Sequence, residues 1–529
     1  MQKGTYMFCY VMTGSVSGLK CDLIRVEVDF ATGLPCFQMV GYLSSEVKEA
    51  RERVKVALKN SGHTLPAANL NVNLSPASIK KSGTSYDLPI AVGILAATGA
   101  ISQSYLEHTL IIGELGLDGD IRKVRGILPI TMECVSRGIK RIILPAGNAP
   151  EASLVPGIKV IGVSHLKEVC DLLSAPTDGQ CIGYGEKACF DIEEYLQKSL
   201  EEAPDFTDVH GQENVKRAAM IAAAGFHNML MIGPPGAGKS MLAKRLPGIL
   251  PPLTLEEALE TTKIHSVAGT LAIHHSLLTQ RPFRSPHHTV SDVALVGGGI
   301  NPMPGEISLA HNGVLFLDEL PEYKRSALEV MRQPLEDRKI CISRAKMSIE
   351  YPASFMLVAA MNPCPCGHYN DPTHECTCSP GAVQRYLSRI SGPLLDRIDI
   401  QVEITPVPFA QLHKQEQGEP SAAIRQRVCK ARNIQQQRFA GTQVYCNAQM
   451  SSKQMRRYCT LDKQGSELIK FAMEKLGLSA RAYDRILKVA RTIADLDPAS
   501  TPDKPVDITP AHLSEAINYR ALDRSEWGN

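Results

Sequence analysis

Gly233, Pro234, Pro235, Gly236, Ala237, Gly238, Lys239 and Ser240 form one unbroken stretch that fits the pattern G-x-x-x-x-G-K-[ST]. The glycines let the chain turn tightly, so that backbone N–H groups converge on an anion. A helix that opens at the end of this stretch adds the positive end of its dipole. Lys239 can then reach the β and γ phosphates of a nucleoside triphosphate such as ATP, and the Ser240 hydroxyl can coordinate Mg²⁺. Two acids, Asp318 and Glu319, follow the apolar run Val314 to Leu317. Asp318 would hold the Mg²⁺, and Glu319 would polarise an attacking water as general base. A further apolar run, Phe355 to Ala360, leads into Met361 and Asn362. Asn362 can hydrogen-bond the γ phosphate or that water. Each piece has an ordinary alternative: a chance glycine turn, a strand that ends in charges, a loop-starting Asn before Pro363. Their combination in this order points to nucleotide hydrolysis.

Such a site needs strands that end at one edge of a sheet. Asn228 to Ile232 reads as a short buried strand running into the glycine turn, and Met241 to Leu246 as the helix that follows it. Val314 to Leu317 and Phe355 to Ala360 are further buried strands, with helical patterns between them, as in a parallel sheet whose ligands sit at the C-terminal edge. The N-terminal part is also α/β. Ile24, Val26, Val28 and Phe30 alternate with charged residues as in a half-buried strand, and Leu70, Val72 and Leu74 repeat the pattern. Val47, Ala50, Val54, Ala57 and Leu58 recur at helical spacing, with Ser44 or Ser45 as cap and Gly62 as stop. Leu88 to Ala97 reads as an apolar helix, and Arg141 to Leu144 and Val160 to Val163 as short strands. Gly, Pro and an acidic helical stretch, Asp191 to Glu202, mark a linker. From about Gln411 onward no strand pattern occurs, and the remainder reads as a small helical domain.

A chain of 529 residues is long enough for three to four domains at roughly 150 residues each. With 57 Lys and Arg against 55 Asp and Glu the net charge is +2, so any nucleic-acid surface must be local. Aromatics are 5% of the chain and Trp527 is the one tryptophan, which argues against many base-stacking platforms. No segment has the 18 or so uninterrupted apolar residues of a membrane helix; the best candidate, Leu88 to Ala100, contains Pro89. Met1 to Ser15 lacks the pattern of a signal peptide. An odd count of 15 cysteines in such a chain reads as mostly reduced thiols in the cytoplasm.

One cysteine group stands apart. Cys364-Pro-Cys366 and Cys376-Thr-Cys378 are two C-x-C pairs that can surround Zn²⁺, with His368 and His374 as spare ligands. Unliganded thiols and a redox switch are the competing readings. Two basic groups, Arg481/Arg485/Lys488 at helical spacing and the acid-free set Arg425, Arg427, Lys430, Arg432 and Arg438, read as solvated faces. They become phosphate-tracking surfaces only if they line a channel.

The phosphate loop, the Asp-Glu strand and Asn362, in this order, resemble an AAA+ ATPase. Arg281-Pro-Phe-Arg-Ser-Pro-His-His-Thr289, Gly297-Gly-Gly299, Pro304-Gly-Glu-Ile-Ser-Leu-Ala-His311 and Asn362-Pro-Cys-Pro-Cys-Gly367 resemble the magnesium-chelatase-like branch, in particular its competence-related members. The resemblance runs to near Arg524. It implies an α/β chain with a Lon-protease-like (ribosomal S5-like) domain over 1–170, a linker over 171–204, an AAA+ core with parallel sheet over 205–405 that includes a cysteine loop at 362–380, and a helical lid over 406–529. It also implies roles. Leu394-Leu-Asp-Arg-Ile398 resembles the segment with the arginine finger, which makes Arg397 the finger. Ser479-Ala-Arg481 resembles the lid sensor of phosphate, which makes Arg481 the sensor. Asp208-Val-His-Gly-Gln212 resembles the adenine pocket. A finger supplied to a neighbour implies a homo-oligomeric ring, typically a hexamer. In the N-terminal part, Lys81-Ser-Gly-Thr-Ser85 resembles the stretch with the protease serine, placing it at Ser85. Gly113-Glu-Leu-Gly-Leu-Asp-Gly119 leads to the catalytic-lysine position, which here is Leu128. A serine without a base is a poor nucleophile; Lys123 is the nearest substitute, and a turn or capping role suits Ser85 better. The implied activity is ATP-driven branch migration on single-stranded and branched DNA, in homologous recombination during natural transformation. The rival readings are a chelatase motor that inserts Mg²⁺ into a porphyrin with partner subunits, an ATP-dependent protease, which Leu128 opposes, and an ATP-gated scaffold.

Overall fold

A computed structural model describes residues 8–31, 33–174, 204–271, 277–299, 302–344, 347–369, 374–406 and 418–520. The expected linker begins inside a helix, Leu166–Ser174; the acidic stretch Asp191 to Glu202 and Trp527 lie outside the described residues. The chain separates into two compact units, Met1–Asp191 with Ala258–Leu278, and Ile192–Glu257 with Thr279–Asn529.

The first unit is built on a seven-stranded mixed sheet in the order β3-β4-β2-β1-β5-β8-β9. The strands are β1 (Cys9–Ser17), β2 (Lys20–Ala31), β3 (Cys36–Val40), β4 (Asn69–Ser75), β5 (Thr109–Ile111), β8 (Arg141–Pro145) and β9 (Lys159–Val163), while β6 (Glu114–Leu115) and β7 (Ile121–Arg122) form a separate ribbon. Ile24, Val26 and Val28 are fully buried on one face of β2, as their alternation requires. Helix Ser45–Asn60 buries the expected stripe, Val47, Ala50, Val54, Ala57 and Leu58. Ser44 occupies the N-cap position, but its hydroxyl donates to Glu46 Oε2 at 2.6 Å instead of accepting a backbone N–H. Helix Asp87–Ala97 is buried on all sides. It approaches β2 closely: a β-carbon at Gly93 would lie 2.7 Å from Val28 Cγ2. Ser85 does not cap this helix, since Tyr86 holds the N-cap position. Leu128 lies buried in helix Ile127–Ser136, and its N–H donates to Glu151 Oε1 at 2.8 Å. The Ser266 hydroxyl donates to the same oxygen at 2.5 Å.

The second unit contains β10 (Met229–Ile232), β11 (Phe283–Arg284), β14 (Val314–Leu317), β17 (Met356–Met361) and β18 (Ile400–Glu403), in the order β11-β14-β17-β10-β18. All pairs are parallel, with Met229 opposite Val358 on one side and Ile400 on the other. β10, β14 and β17 are wholly buried, the uninterrupted apolar pattern expected of strands covered on both faces. Two antiparallel ribbons, β12 (Gly297–Gly298) with β13 (Met303–Pro304) and β15 (Lys339–Arg344) with β16 (Met347–Pro352), are inserted between sheet strands.

Over residues 418–520 the regular elements are helices. Of the basic set expected to form a solvated face, Arg425, Arg432 and Arg438 are spent on packing, while Arg427 and Lys430 are exposed. In helix Ser421–Arg438, Arg425 donates to Gly248 O at 2.7 Å, Arg432 donates to Ala223 O at 2.8 Å, and Arg427 pairs with Glu419. Arg438 donates to both oxygens of Asp495, at 2.7 and 2.6 Å. Asp495 is buried and also accepts from Arg491 at 3.1 Å and Asn447 at 2.8 Å. Arginines carry this work because two cations and an amide must share one planar carboxylate. Among the described residues no helix is long and apolar enough to cross a membrane.

Removing a buried counter-charge leaves its partners unpaired, at a cost of about 3–5 kcal/mol. Asp495→Ala is therefore expected to destabilise the second unit by about that amount. Chemical unfolding followed by circular dichroism checks it; a midpoint unchanged from the wild type would contradict the assignment.

Candidate active site

The phosphate loop starts where β10 ends. Gly233 must be glycine, because a β-carbon there would sit 2.4 Å from Ile404 O, the residue that follows β18 by one. Gly236 and Gly238 take φ of +77° and +86°, which L side chains rarely adopt. Helix Lys239–Ile249 follows and aims its N-terminus at the loop. Lys239 is 8% exposed. Its ammonium donates to Gly233 O at 2.6 Å, Pro234 O at 2.9 Å and Asn362 Oδ1 at 3.1 Å. Burial lowers its pKa from the usual lysine value, and the charges of Asp318 and Glu319 oppose that shift. Ser240 Oγ donates to Asp318 Oδ2 at 2.6 Å. Loop, Lys239, Ser240, Asp318 and Asn362 are thus gathered at the C-terminal ends of three adjacent strands, β14, β17 and β10. A hard cation would find the Ser240 hydroxyl and the Asp318 carboxylate there as oxygen ligands.

Glu319 is held unusually. Its φ is +52°, a strained value for a residue with a side chain. Its carboxylate, 58% exposed, lies 3.4 Å from His288 Nδ1. His288 itself packs edge-on to Tyr323, whose hydroxyl donates to Pro286 O at 2.6 Å. Gln212 closes the other flank, its Nε2 donating to Ala237 O at 3.0 Å and Thr405 O at 3.3 Å. Asp208 pairs with Arg245 at 2.6 Å.

The two remaining arginines lie elsewhere. Arg397 precedes β18 and pairs with Glu336, and its Nη1 donates to Pro393 O at 2.5 Å. Asn228, which precedes β10, donates to the Arg397 carbonyl at 2.8 Å. Both residues mark the N-terminal ends of the strands. β10 has four residues, so this edge is roughly 13 Å from the phosphate loop at about 3.3 Å per residue. Arg481 is at the same far edge: its Nη1 is 3.4 Å from Asp396 Oδ2, and its side chain is 64% exposed. The structure therefore does not bring Arg481 to the phosphate loop of its own chain. It lies in the first turn of helix Ala480–Asp495, capped by Ser479, and Arg485 of that helix, 2.9 Å from Asp399 Oδ1, ties the helix to the start of β18. A cavity of about 210 Å³ opens there, lined among others by Glu336, Arg338, Asp399, Arg485 and Lys488. Burial, with Arg485 adding to it, lowers Lys488 to about 8, and burial also lowers Arg338. Burial would raise Asp399, but Arg485 and the His227 hydrogen bond outweigh it and hold it well below the usual carboxylate range.

Beyond Asn362 the four expected thiols do meet. The sulfurs of Cys364, Cys366, Cys376 and Cys378 lie within 4.8 Å of one another. Burial raises the Cys366 thiol, yet hydrogen bonds led by the His368 backbone N–H and by Cys364 hold it down at about 5.

Residues 205–412 match the family model described as magnesium chelatase, subunit ChlI. Residues 26–148 match subunit ChlI of Mg-chelatase, and residues 418–520 match the C-terminal part of that subunit. Over 512 residues the chain is 45% identical to the competence protein ComM of Haemophilus influenzae, covering 96% of each. It is 44% identical over 515 residues to YifB of Escherichia coli, covering 97% of each. The chain belongs to the ComM family of magnesium-chelatase-like proteins. A third relative, the magnesium-chelatase 67 kDa subunit of Chlorobaculum parvum, is 28% identical over 214 residues, 40% of this chain and 28% of its own length.

The ComM-family chain thus carries a magnesium-chelatase, AAA+-type ATPase domain on a parallel sheet. Sequence reasoning gave no role to His288, although it stands in the stretch Arg281 to Thr289 that helped to carry the resemblance; its pairing with Glu319 needs the fold. Glu336 and Arg338 had no sequence signal, since neither belongs to a motif.

Separate losses are expected at the two ends of the reaction. Lys239→Ala should weaken ATP binding roughly tenfold to a hundredfold, the worth of charge-assisted bonds to phosphate. Glu319→Gln should leave binding nearly intact and slow turnover by about a hundredfold or more. Fluorescent-nucleotide titration and phosphate release separate the two; equal loss of binding in both variants would contradict these roles.

Proposed function

We propose that the chain is a ring-forming, Mg²⁺-dependent ATPase motor on DNA, a branch-migration helicase that serves homologous recombination during natural transformation. The observation that carries the reading is the division of chemistry between the two ends of one sheet. The phosphate loop with Lys239, Ser240, Asp318, Glu319 and Asn362 stands at the C-terminal ends of the strands, and Arg397 stands at the N-terminal ends, away from its own phosphate loop. An arginine so placed serves a neighbouring protomer's triphosphate, where it would neutralise charge on the transferred phosphoryl group. Its Nε has no hydrogen-bond partner among the described residues, which suits a group completed by another subunit. Arg481, beside Asp396, is assigned to the same neighbouring site. In this reading Ser240 and Asp318 hold Mg²⁺, Glu319 activates water and Asn362 orients it.

The remaining parts fit around that motor. The first unit serves as a Lon-protease-like domain without peptidase activity, because Leu128 offers no base. The helices of residues 418–520 serve as the lid, and Zn²⁺ occupies the four thiols of Cys364, Cys366, Cys376 and Cys378. The single-stranded and branched DNA partner is supported by the near-complete match to a protein named for competence. The porphyrin-directed reading is less well supported, since the named chelatase subunit aligns with 40% of this chain.

ATP turnover by the purified chain is expected to rise with single-stranded and branched DNA, and a synthetic four-way junction should be migrated with ATP. Lys239→Ala and Glu319→Gln should abolish both. Mixing Lys239→Ala with Arg397→Ala, each inactive alone, should restore part of the turnover, because one of the shared sites formed is intact. Turnover indifferent to DNA with no migration would sink the helicase reading; no restoration on mixing would sink the shared site.

A further inference from the structure

Three of the sulfur separations in the cysteine group are 3.3 Å (Cys364–Cys366), 3.7 Å (Cys364–Cys376) and 3.6 Å (Cys366–Cys376). A disulfide requires about 2.05 Å. A tetrahedron with Zn–S arms of about 2.3 Å has edges of about 3.8 Å. The spacing of these three sulfurs is close to that of thiolates around one ion, and the Cys378 sulfur lies within 4.8 Å of each of them. Among the described residues between Asn362 and Ser379 there is no helix or strand, so regular hydrogen bonding does not give this segment its shape.

The same segment touches the nucleotide site at two points. Two residues before Cys364, Asn362 accepts from the Lys239 ammonium at 3.1 Å. One residue after Cys366, Gly367 lies against the phosphate loop: a β-carbon there would be 2.6 Å from Pro235 Cδ, and φ is +87°. The Gly367 N–H donates to Cys364 O at 3.0 Å, which closes the turn between the two contacts. The first C-x-C pair thus lies between a residue that holds Lys239 and a residue that backs Pro235.

We propose that Zn²⁺ on these four thiols, the occupancy assigned above, fixes the segment and so holds the phosphate loop in the form that receives a triphosphate. The metal is then a positioning device for ATP, distinct from the Mg²⁺ that accompanies the nucleotide. Elemental analysis and mercurial release from the full chain are expected to give one Zn²⁺ per protomer. Stripping the metal with a chelator should weaken ATP affinity about tenfold, about 1.4 kcal/mol. Zn²⁺ should restore it and Mg²⁺ should not. Gly367→Ala, which leaves every thiol in place, should keep its zinc and lose a similar factor in ATP affinity. Lys239→Ala should also keep its zinc, so that loss of nucleotide does not mimic loss of metal. If the purified chain holds no zinc and the stripped chain takes none up, the occupancy itself is wrong. If zinc is stoichiometric, and ATP affinity stays within about twofold both on stripping and in Gly367→Ala, the occupancy stands and the coupling is wrong.

Discussion

Lys239 is a charged group beneath the protein surface, and a buried ammonium needs acceptors close by. The chain supplies three of them from the site itself: two carbonyls of the phosphate loop and the Asn362 amide oxygen. None is a carboxylate, so the positive charge is solvated without being neutralised. A triphosphate is the ligand that both replaces those acceptors and cancels the charge. Asn362 can meet Lys239 because β17 lies directly beside β10, and Asp318 can meet Ser240 because β14 lies beside β17. A slip of one residue in either pairing would move a group by about 3.3 Å, enough to break each of these hydrogen bonds. The buried Val, Leu, Ile, Met and Ala of the three strands therefore set the register on which the chemistry depends.

The opposite edge shows the complementary imbalance. Arg338, Arg485 and Lys488 surround a cavity whose acids are Glu336 and Asp399. Asp399 is already engaged by Arg485 and lies 3.2 Å from His227, and Glu336 is engaged by Arg397. Burial, with the Arg485 charge adding to it, lowers the proton affinity of Lys488 against the pull of Asp399. One sheet thus leaves negative charge wanting at one end, where phosphate fits, and again at the other, where the chain alone does not provide it. In the proposed motor, a triphosphate bound between protomers would supply negative charge to both edges.

What the sequence revealed and what it concealed follow from range. The phosphate loop is legible because its eight residues are contiguous and each acts through its own backbone or through a neighbour. Strands such as Val314–Leu317 are legible because burial on both faces leaves an unbroken apolar run. The four thiols are legible because C-x-C twice within one loop leaves few other partners. Arg481 was legible as a helix-start arginine, but not by position. Its location depends on how helix Ala480–Asp495 docks on the start of β18, a contact between residues some 85 positions apart. Arg425, Arg432 and Arg438 left the expected solvated face for the same reason: the carbonyls and carboxylate that absorb them, at Gly248, Ala223 and Asp495, are distant in the chain. Glu319 is a middle case, since its type and place were plain while its left-handed backbone and its His288 partner were not.

The first unit carries the same reasoning to a different end. A catalytic base must present a titratable atom to a solvent-accessible nucleophile. At Leu128 the side chain is apolar and fully buried, and the nearby carboxylate, Glu151, faces its backbone N–H instead of a side chain. Glu151 is itself partly buried; burial raises its pKa, against the pull of the Ser266 hydroxyl and the Leu128 N–H. A carboxylate committed to a backbone donor and a hydroxyl holds helix Ile127–Ser136 and the Ser266 segment in place within this unit. In the proposed Lon-protease-like reading, the position that would have supplied a base is part of the core. On that reading, conversion to a peptidase would require more than Leu128→Lys. The new ammonium would enter an apolar site, and pairing it with Glu151 would release the contacts that order the helix.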